Sequence, residues 1–297
     1  KKLKMKVKYY EINNSLIPKY ADITKKIDQN VKSILYVNYF GLPINIKKNI
    51  EFSKKYNLIM IEDNAHGFSG IFHKKYLGNF GDIGITSPRK NLNVMSGGFL
   101  YIKNKNLLKK IDFPKKTLTF KWRIFKYCPI IILNHINKLF SYLSFLFKKN
   151  IDSIDNKNNF KNDLYKIDDL SKNIIEKQNF KNLNKIKRNS FELWKAFLNK
   201  LNVHIFTSDE LDEFSPMCIA FILNDFSHKK KIIDILHNNK IQAYSWPNLP
   251  NEVYNKKGNG YDLQKKIICI PITYEHDSKY INNIINKISI EIHDIFK

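Results

Sequence analysis

Short runs of apolar, β-branched residues alternate with segments of helical spacing over residues 1–112. Lys6–Tyr10 reads as a short strand and Tyr20–Gln29 as a helix. Ser33–Tyr39 (SILYVNY) is an apolar run that ends at Gly41-Leu42-Pro43. Asn45–Tyr56 has Ile46, Ile50 and Phe52 at helical spacing, and Leu58–Glu62 (LIMIE) reads as a second buried strand. Asp82–Thr86 and Gly98–Ile102 supply two more. Short apolar strands separated by helices predict a mainly parallel sheet with covered faces.

The pattern changes at Phe113. The stretch IFKYCPIIILNHINKLFSYLSFLFKK is apolar but broken at Pro129 and again at Asn134–Lys138. A spanning helix wants ~20 apolar residues with few charges, so this stretch reads as amphipathic helices. A partner subunit or domain contact is expected to cover their apolar side, ahead of a peripheral contact with an anionic membrane. Asp152–Asp163 is polar and Asn-rich, a linker by composition. Ile174–Leu201 predicts one long helix with Phe180, Leu183, Ile186, Phe191, Trp194 and Leu198 on one face. Strands at Val203–Phe206 and Met217–Leu223 follow, then a helix at His228–Asn238. Strands at Ile241–Ser245 and Ile267–Ile270 and a helix at Tyr280–Phe296 complete an α+β second domain. The expected division is 1–112, an insertion and linker at 113–165, and a small domain at 166–297.

Composition narrows the class. The 297 residues are 43% hydrophobic and 26% charged, with Gly 10 and Pro 9, which excludes wholesale disorder and collagen-like repeats. The three cysteines, Cys128, Cys218 and Cys269, form no CxxC pair, so a zinc ribbon and a disulfide framework are both excluded. A reducing, cytoplasmic setting is expected, and no signal-peptide apolar region follows Lys1. The net charge of +24 raises a nucleic-acid reading. Yet only Arg89, Arg123 and Arg188 are arginines, and the lysines are spread along a chain that also uses Asn and Ile heavily. The excess reads as compositional bias, and no nucleic-acid partner is expected.

The chemistry sits between Glu62 and Gly98. Asp63 directly follows an apolar strand, where ligands of open α/β sheets bind. His66 lies three residues on, and Ser87-Pro88-Arg89-Lys90 follows the next strand, ahead of Gly97-Gly98. Singly, each is an ordinary loop residue; the ordered set carries the weight.

That set resembles the pyridoxal-phosphate sugar aminotransferases of the DegT/DnrJ family, within fold-type I. Asn38-Tyr39-Phe40-Gly41-Leu42-Pro43 resembles a strand-end segment of that family. Ile61-Glu62-Asp63-Asn64-Ala65-His66 resembles its IEDxAH motif, and Tyr76–Asp82 its xxGxxGD segment. Ser87–Lys90 with Gly97-Gly98 resembles its Schiff-base segment. Ile241–Pro247 and Ile268–Pro271 agree more weakly. The Ser-to-Lys spacing is shorter than is usual in the family, and Ser96 stands where an acid is common.

The resemblance implies an α/β, fold-type I large domain, N-terminally truncated here, with an α+β C-terminal small domain. It implies pyridoxal 5'-phosphate as cofactor, held by Lys90 as the Schiff-base and proton-moving lysine and by Asp63 at the pyridinium nitrogen. His66 would lie against the ring, and Ser87 would donate to the phosphate. It also implies a nucleotide-linked keto sugar as substrate, glutamate as amino donor and a homodimer. A dehydratase of the same fold and a basic, non-catalytic binding protein remain the alternatives; Lys90 argues for transfer.

Overall fold

The computed structural model describes residues 5–94, 96–115, 165–208, 211–213, 215–246 and 249–296. The expected amphipathic insertion beyond residue 115, and the Asn-rich linker after it, lie outside them.

The first sheet joins β1 (Ser33–Val37) and β2 (Ile59–Asn64) to β5 (Ile83–Thr86) and β6 (Phe99–Ile102), in the order β1-β2-β5-β6. β1, β2 and β5 are parallel: β1 and β2 are joined through a helix, while β2 and β5 are joined by a crossover that holds two short strands and no helix; β6 runs antiparallel to β5. Helices α1 (Tyr20–Lys26) and α2 (Ile46–Lys55) cover one face. There Ile23, Ile34, Tyr36, Leu58 and Met60 form a buried cluster, flanked by Tyr20 and Phe52. The expected helix to Gln29 stops at Lys26. Asp28 takes the Asn30 amide at 2.8 Å and the Lys8 ammonium at 2.6 Å, a local turn that competes with helix. The expected strand at Lys6–Tyr10 does not form; the Tyr10 hydroxyl donates to the Leu35 carbonyl instead.

The opposite face of this sheet is apolar and open. In strand register, Leu35, Ile61, Ile83 and Ile102 form one row and Val37, Asp63, Ile85 and Leu100 the next. Leu35 is 42% exposed, Ile59 44% and Leu100 42%. The expectation of two covered faces therefore holds for one face only within the described residues.

The short strand β3 (Ile71–Phe72) pairs with β4 (Lys75–Tyr76) on one side and with β8 (Leu211–Glu213), from the second half of the chain, on the other. Beyond them lies a fully antiparallel sheet. β7 (His204–Ile205), β9 (Cys218–Ile222), β10 (Tyr244–Ser245) and β11 (Ile267–Pro271) take the order β10-β11-β9-β7. The expected single helix at Ile174–Leu201 is two. α4 (Asp169–Glu176) follows the lone-turn helix α3 (Lys105–Leu108), and α5 (Phe180–Asn199) restarts after Asn179. The Asn179 side chain accepts the Asn182 amide at 3.1 Å, an N-cap inside the apolar periodicity.

α5, α6 (Lys229–Asn238) and α9 (Ser278–His293) pack on the second sheet through Trp194, Leu198, Ile232, Leu236, Ile288 and Ile292. Between them, α7 (Asn251–Tyr254) and α8 (Asn259–Lys266) lead into β11. The same buried cluster continues into Ile12, Leu16, Phe40 and Leu42, so the main core spans both sheets.

Candidate active site

The site forms at the carboxyl ends of β1, β2 and β5. Its floor is set by Glu62, which is 1% exposed. One carboxylate oxygen accepts from Asn38 Nδ2 at 2.8 Å and the Gly78 amide at 2.7 Å; the other accepts from the Phe80 amide at 2.7 Å and the Gly81 amide at 3.2 Å. A buried carboxylate is tolerated when it is saturated with donors. Glu62 thereby ties the Gly78–Gly81 loop beneath the sheet. Asp82 finishes the same loop by accepting the Met60 amide at 2.9 Å. At Gly84, any side chain would collide with the Gly78 carbonyl, because the loop crosses the strand there. Glu62, Gly78, Gly81 and Asp82 of the two motifs are thus structural.

Period-2 alternation puts Glu62 and Asn64 on the covered face and Asp63 on the open one. Asp63 is half-buried, and its Oδ1 accepts the Ala65 amide at 3.0 Å, which turns the chain toward His66. His66 Nδ1 accepts the Phe40 amide at 3.2 Å. That bond leaves the imidazole proton on Nε2. Burial, and then the charge of Lys90, lower the His66 pKa to about 4, so the ring is neutral at physiological pH.

Two loops meet here backbone to backbone. Gly41 has φ +84, and a Cβ on it would lie 3.0 Å from Gly67 Cα and from the His66 carbonyl oxygen. Only glycine permits both the turn and the approach. Phe40 beside it has φ 60, a conformation that costs a bulky residue about 1–2 kcal/mol.

Ser87 is half-buried and immediately follows β5, one position beyond the partner of Asn64. Lys90 ends the 3-10 turn Pro88–Lys90 and is exposed. Its charge adds to the lowering of the His66 pKa, after burial. Asn91 fixes the turn: its Nδ2 donates to Phe68 O at 3.2 Å and to Ser215 O and Oγ at 3.0 Å. Of the four residues expected from the sequence, Asp63 stands one residue before the end of β2, and His66, Ser87 and Lys90 lie in the segments that follow β2 and β5, at the carboxyl ends of neighbouring strands.

Three aromatic residues join the site without having been expected there from the sequence. The Tyr39 ring lies 5.1 Å from Trp246, and Phe40 lies 5.3 Å from Trp246 and 6.4 Å from the His66 ring. Burial first, and the Asp63 charge second, push the Tyr39 hydroxyl up to about 12. The signal available was the pair of aromatics at the end of the Ser33–Tyr39 run. Trp246 had none, since nothing in its own segment says which loop it meets. Among the described residues, no His/Cys/Asp/Glu cluster could hold a metal ion, and no helix is long and apolar enough to cross a membrane.

The chain as a whole has relatives. The chain is 27% identical over 154 residues to GDP-perosamine synthase of Escherichia coli O157:H7, a stretch that covers 45% of this chain and less than half, 42%, of that enzyme. Its fold matches Helicobacter pylori PseC, an aminotransferase involved in the biosynthesis of pseudoaminic acid. The TM-score is 0.62 at 15% identity, over 96% of this chain and 73% of that one. It also matches the PLP form of the putative sugar aminotransferase Spr1654 of Streptococcus pneumoniae, with TM-score 0.59 at 12% identity over 98% and 76%. The profile of one family spans residues 2–289, from before β1 to the last helix. By that match this chain belongs to the DegT/DnrJ/EryC1/StrS aminotransferase family.

Proposed function

We propose that this chain carries the reaction centre of a pyridoxal-phosphate-dependent aminotransferase, acting as a homodimer. Its reaction would move an amino group from glutamate to a keto sugar linked to a nucleotide. The observation that carries the reading is the position of Asp63. It is a half-buried carboxylate in a row of apolar side chains at the carboxyl edge of parallel strands, with His66, Ser87 and Lys90 in the loops around it. That donor set suits a flat cationic heterocycle bearing a phosphate: a carboxylate for the ring nitrogen, a neutral Nε2–H, a hydroxyl and a primary amine.

Bound there, the cofactor supplies an electron sink for bonds broken next to the substrate nitrogen. The chain does the rest. Asp63 holds a proton on the ring nitrogen through its charge. Lys90 would hold the cofactor through its Nζ amine and would serve as the acid–base group of the transfer. His66 donates from Nε2 while Phe40 occupies Nδ1. Ser87 donates its hydroxyl to the phosphate.

The test is a coupled assay of the full-length protein with pyridoxal phosphate, glutamate and nucleotide-linked 4-keto and 3-keto sugars. The expected outcome is 2-oxoglutarate released only when a keto sugar is present. No release with any keto sugar, from protein that holds the cofactor, removes this reading.

A further inference from the structure

Trp246 stands just past β10, in the second sheet, yet its indole reaches the first. Its ring packs on Tyr39 at 5.1 Å and edge-on to Phe40 at 5.3 Å. The Phe40 ring also meets Phe206 at 5.6 Å and stacks near His66 at 6.4 Å. Phe40 holds a left-handed backbone, with φ 60 and ψ 10. A bulky residue keeps such a conformation only where its surroundings over-determine it. That backbone aims the Phe40 amide at His66 Nδ1, 3.2 Å away. The links run unbroken from Trp246 to Phe40 to the imidazole.

We propose that Trp246 is a positioning residue for His66: it clamps Phe40 in the turn whose amide occupies Nδ1, and so keeps the imidazole proton on Nε2. Contact between the second sheet and the β1 loop thereby sets the proton state of a residue on β2's loop. Without the indole, one wall of the Phe40 ring is lost. The backbone can then relax to an extended conformation, and its amide leaves Nδ1. Water reaches the nitrogen and protonation becomes easier. Lys90 is the charged group that acts on the same imidazole, and it is present in every variant considered. The link from Trp246 to His66 stands on this chain's geometry; what the Nε2 proton is used for rests on the proposed function.

The experiment is an imidazole NMR titration of the protein without cofactor or substrate, comparing wild type with W246A, W246L and W246F and assigning the signal with H66Q. Wild-type His66 should titrate near 4 as the Nε2–H tautomer. In W246A its midpoint should rise by about one unit or more toward the ordinary histidine value, with the Nδ1–H tautomer populated. W246F, which keeps an aromatic wall, should stay close to wild type. If W246A does not fold, W246L carries the same expectation. An unchanged midpoint and tautomer in the folded variant overturns the proposal. So does a wild-type His66 that titrates at its ordinary value. The titration needs no cofactor or sugar, so failure of the keto-sugar assay would leave its outcome untouched.

Discussion

Asp63 and Ile85 are register partners across two parallel strands, with Val37 opposite Asp63 on the other side. A carboxylate set between two aliphatic side chains at a strand end has few local reasons to be there. Its nearest satisfied bond is the short turn to the Ala65 amide. The position makes sense when a cation completes it.

Asp63→Asn keeps that turn and the side-chain shape but removes the charge. An opposite charge at ~4 Å contributes roughly 4 kcal/mol at an effective dielectric of about 20. The expected outcome is retained cofactor binding with turnover lowered by about two orders of magnitude or more. Steady-state kinetics beside cofactor absorbance separate the two effects. Turnover within about threefold of wild type would make Asp63 a purely structural residue.

Lys90 is exposed on a turn pinned by Asn91, and the proposed function makes it the lysine that attaches the cofactor. Full-length protein loaded with pyridoxal phosphate should show a visible absorbance band that borohydride abolishes. Peptide mapping should then find the reduced adduct on Lys90, and Lys90→Ala should lose both band and transfer. An adduct on another lysine, with Lys90→Ala still active, contradicts the assignment. This chain is rich enough in lysine for that control to matter.

Glu62 supports the site from below. Three backbone amides and the Asn38 side chain converge on it. Glu62→Ala leaves those buried donors without acceptors, at about 1–3 kcal/mol for each unsatisfied group that cannot find water. Urea denaturation should show a loss of several kcal/mol, with Glu62→Gln intermediate because it retains one carbonyl oxygen. A loss below about 1 kcal/mol for the alanine variant would mean that the Gly78–Gly81 loop is held by other contacts.

Much of this was legible in the sequence because it is local. The β1, β2 and β5 runs announce themselves by apolar β-branched residues, and the order Asp63, His66, Ser87, Lys90 marks the strand-end loops. What escaped was non-local. The antiparallel direction of β6 comes from the connection between Thr86 and Phe99, which ends in the Gly97-Gly98 pair and brings the chain back beside β5, and periodicity does not report it. β8 is three residues long and exists because β3 is beside it. Trp246 enters the site from the other sheet. On α5 the apolar period pointed to Phe180 and Ile186, while the buried stripe includes Asn184, Lys187 and Ser190. Those polar residues are hidden because Asn184 meets Ser69 and Glu213, and Ser190 meets the His276 carbonyl.

Lys187 is the exception on that stripe, and it yields a test of its own. Its side chain is wholly buried, and no hydrogen-bond partner reaches Nζ among the described residues. Burial lowers its pKa from 10.5 to about 7, against a smaller opposing effect of Cys218. The sign follows from proton counting. Below pH 7, folded and unfolded chains both carry the proton, and the folded state bears the full penalty of a buried charge. Between 7 and the ordinary lysine value, only the unfolded chain binds it, so wild-type stability rises with pH through that window. Lys187→Met fills a similar volume with no charge, a replacement that stabilises by about 1–4 kcal/mol for buried ionic groups. Its advantage over wild type should be largest at or below neutral pH and should shrink steadily toward pH ~10. Paired denaturation curves from pH 6 to 10 measure the gap. A gap that does not change with pH, or a methionine variant less stable throughout, would show that Lys187 is charged and partnered in the folded protein.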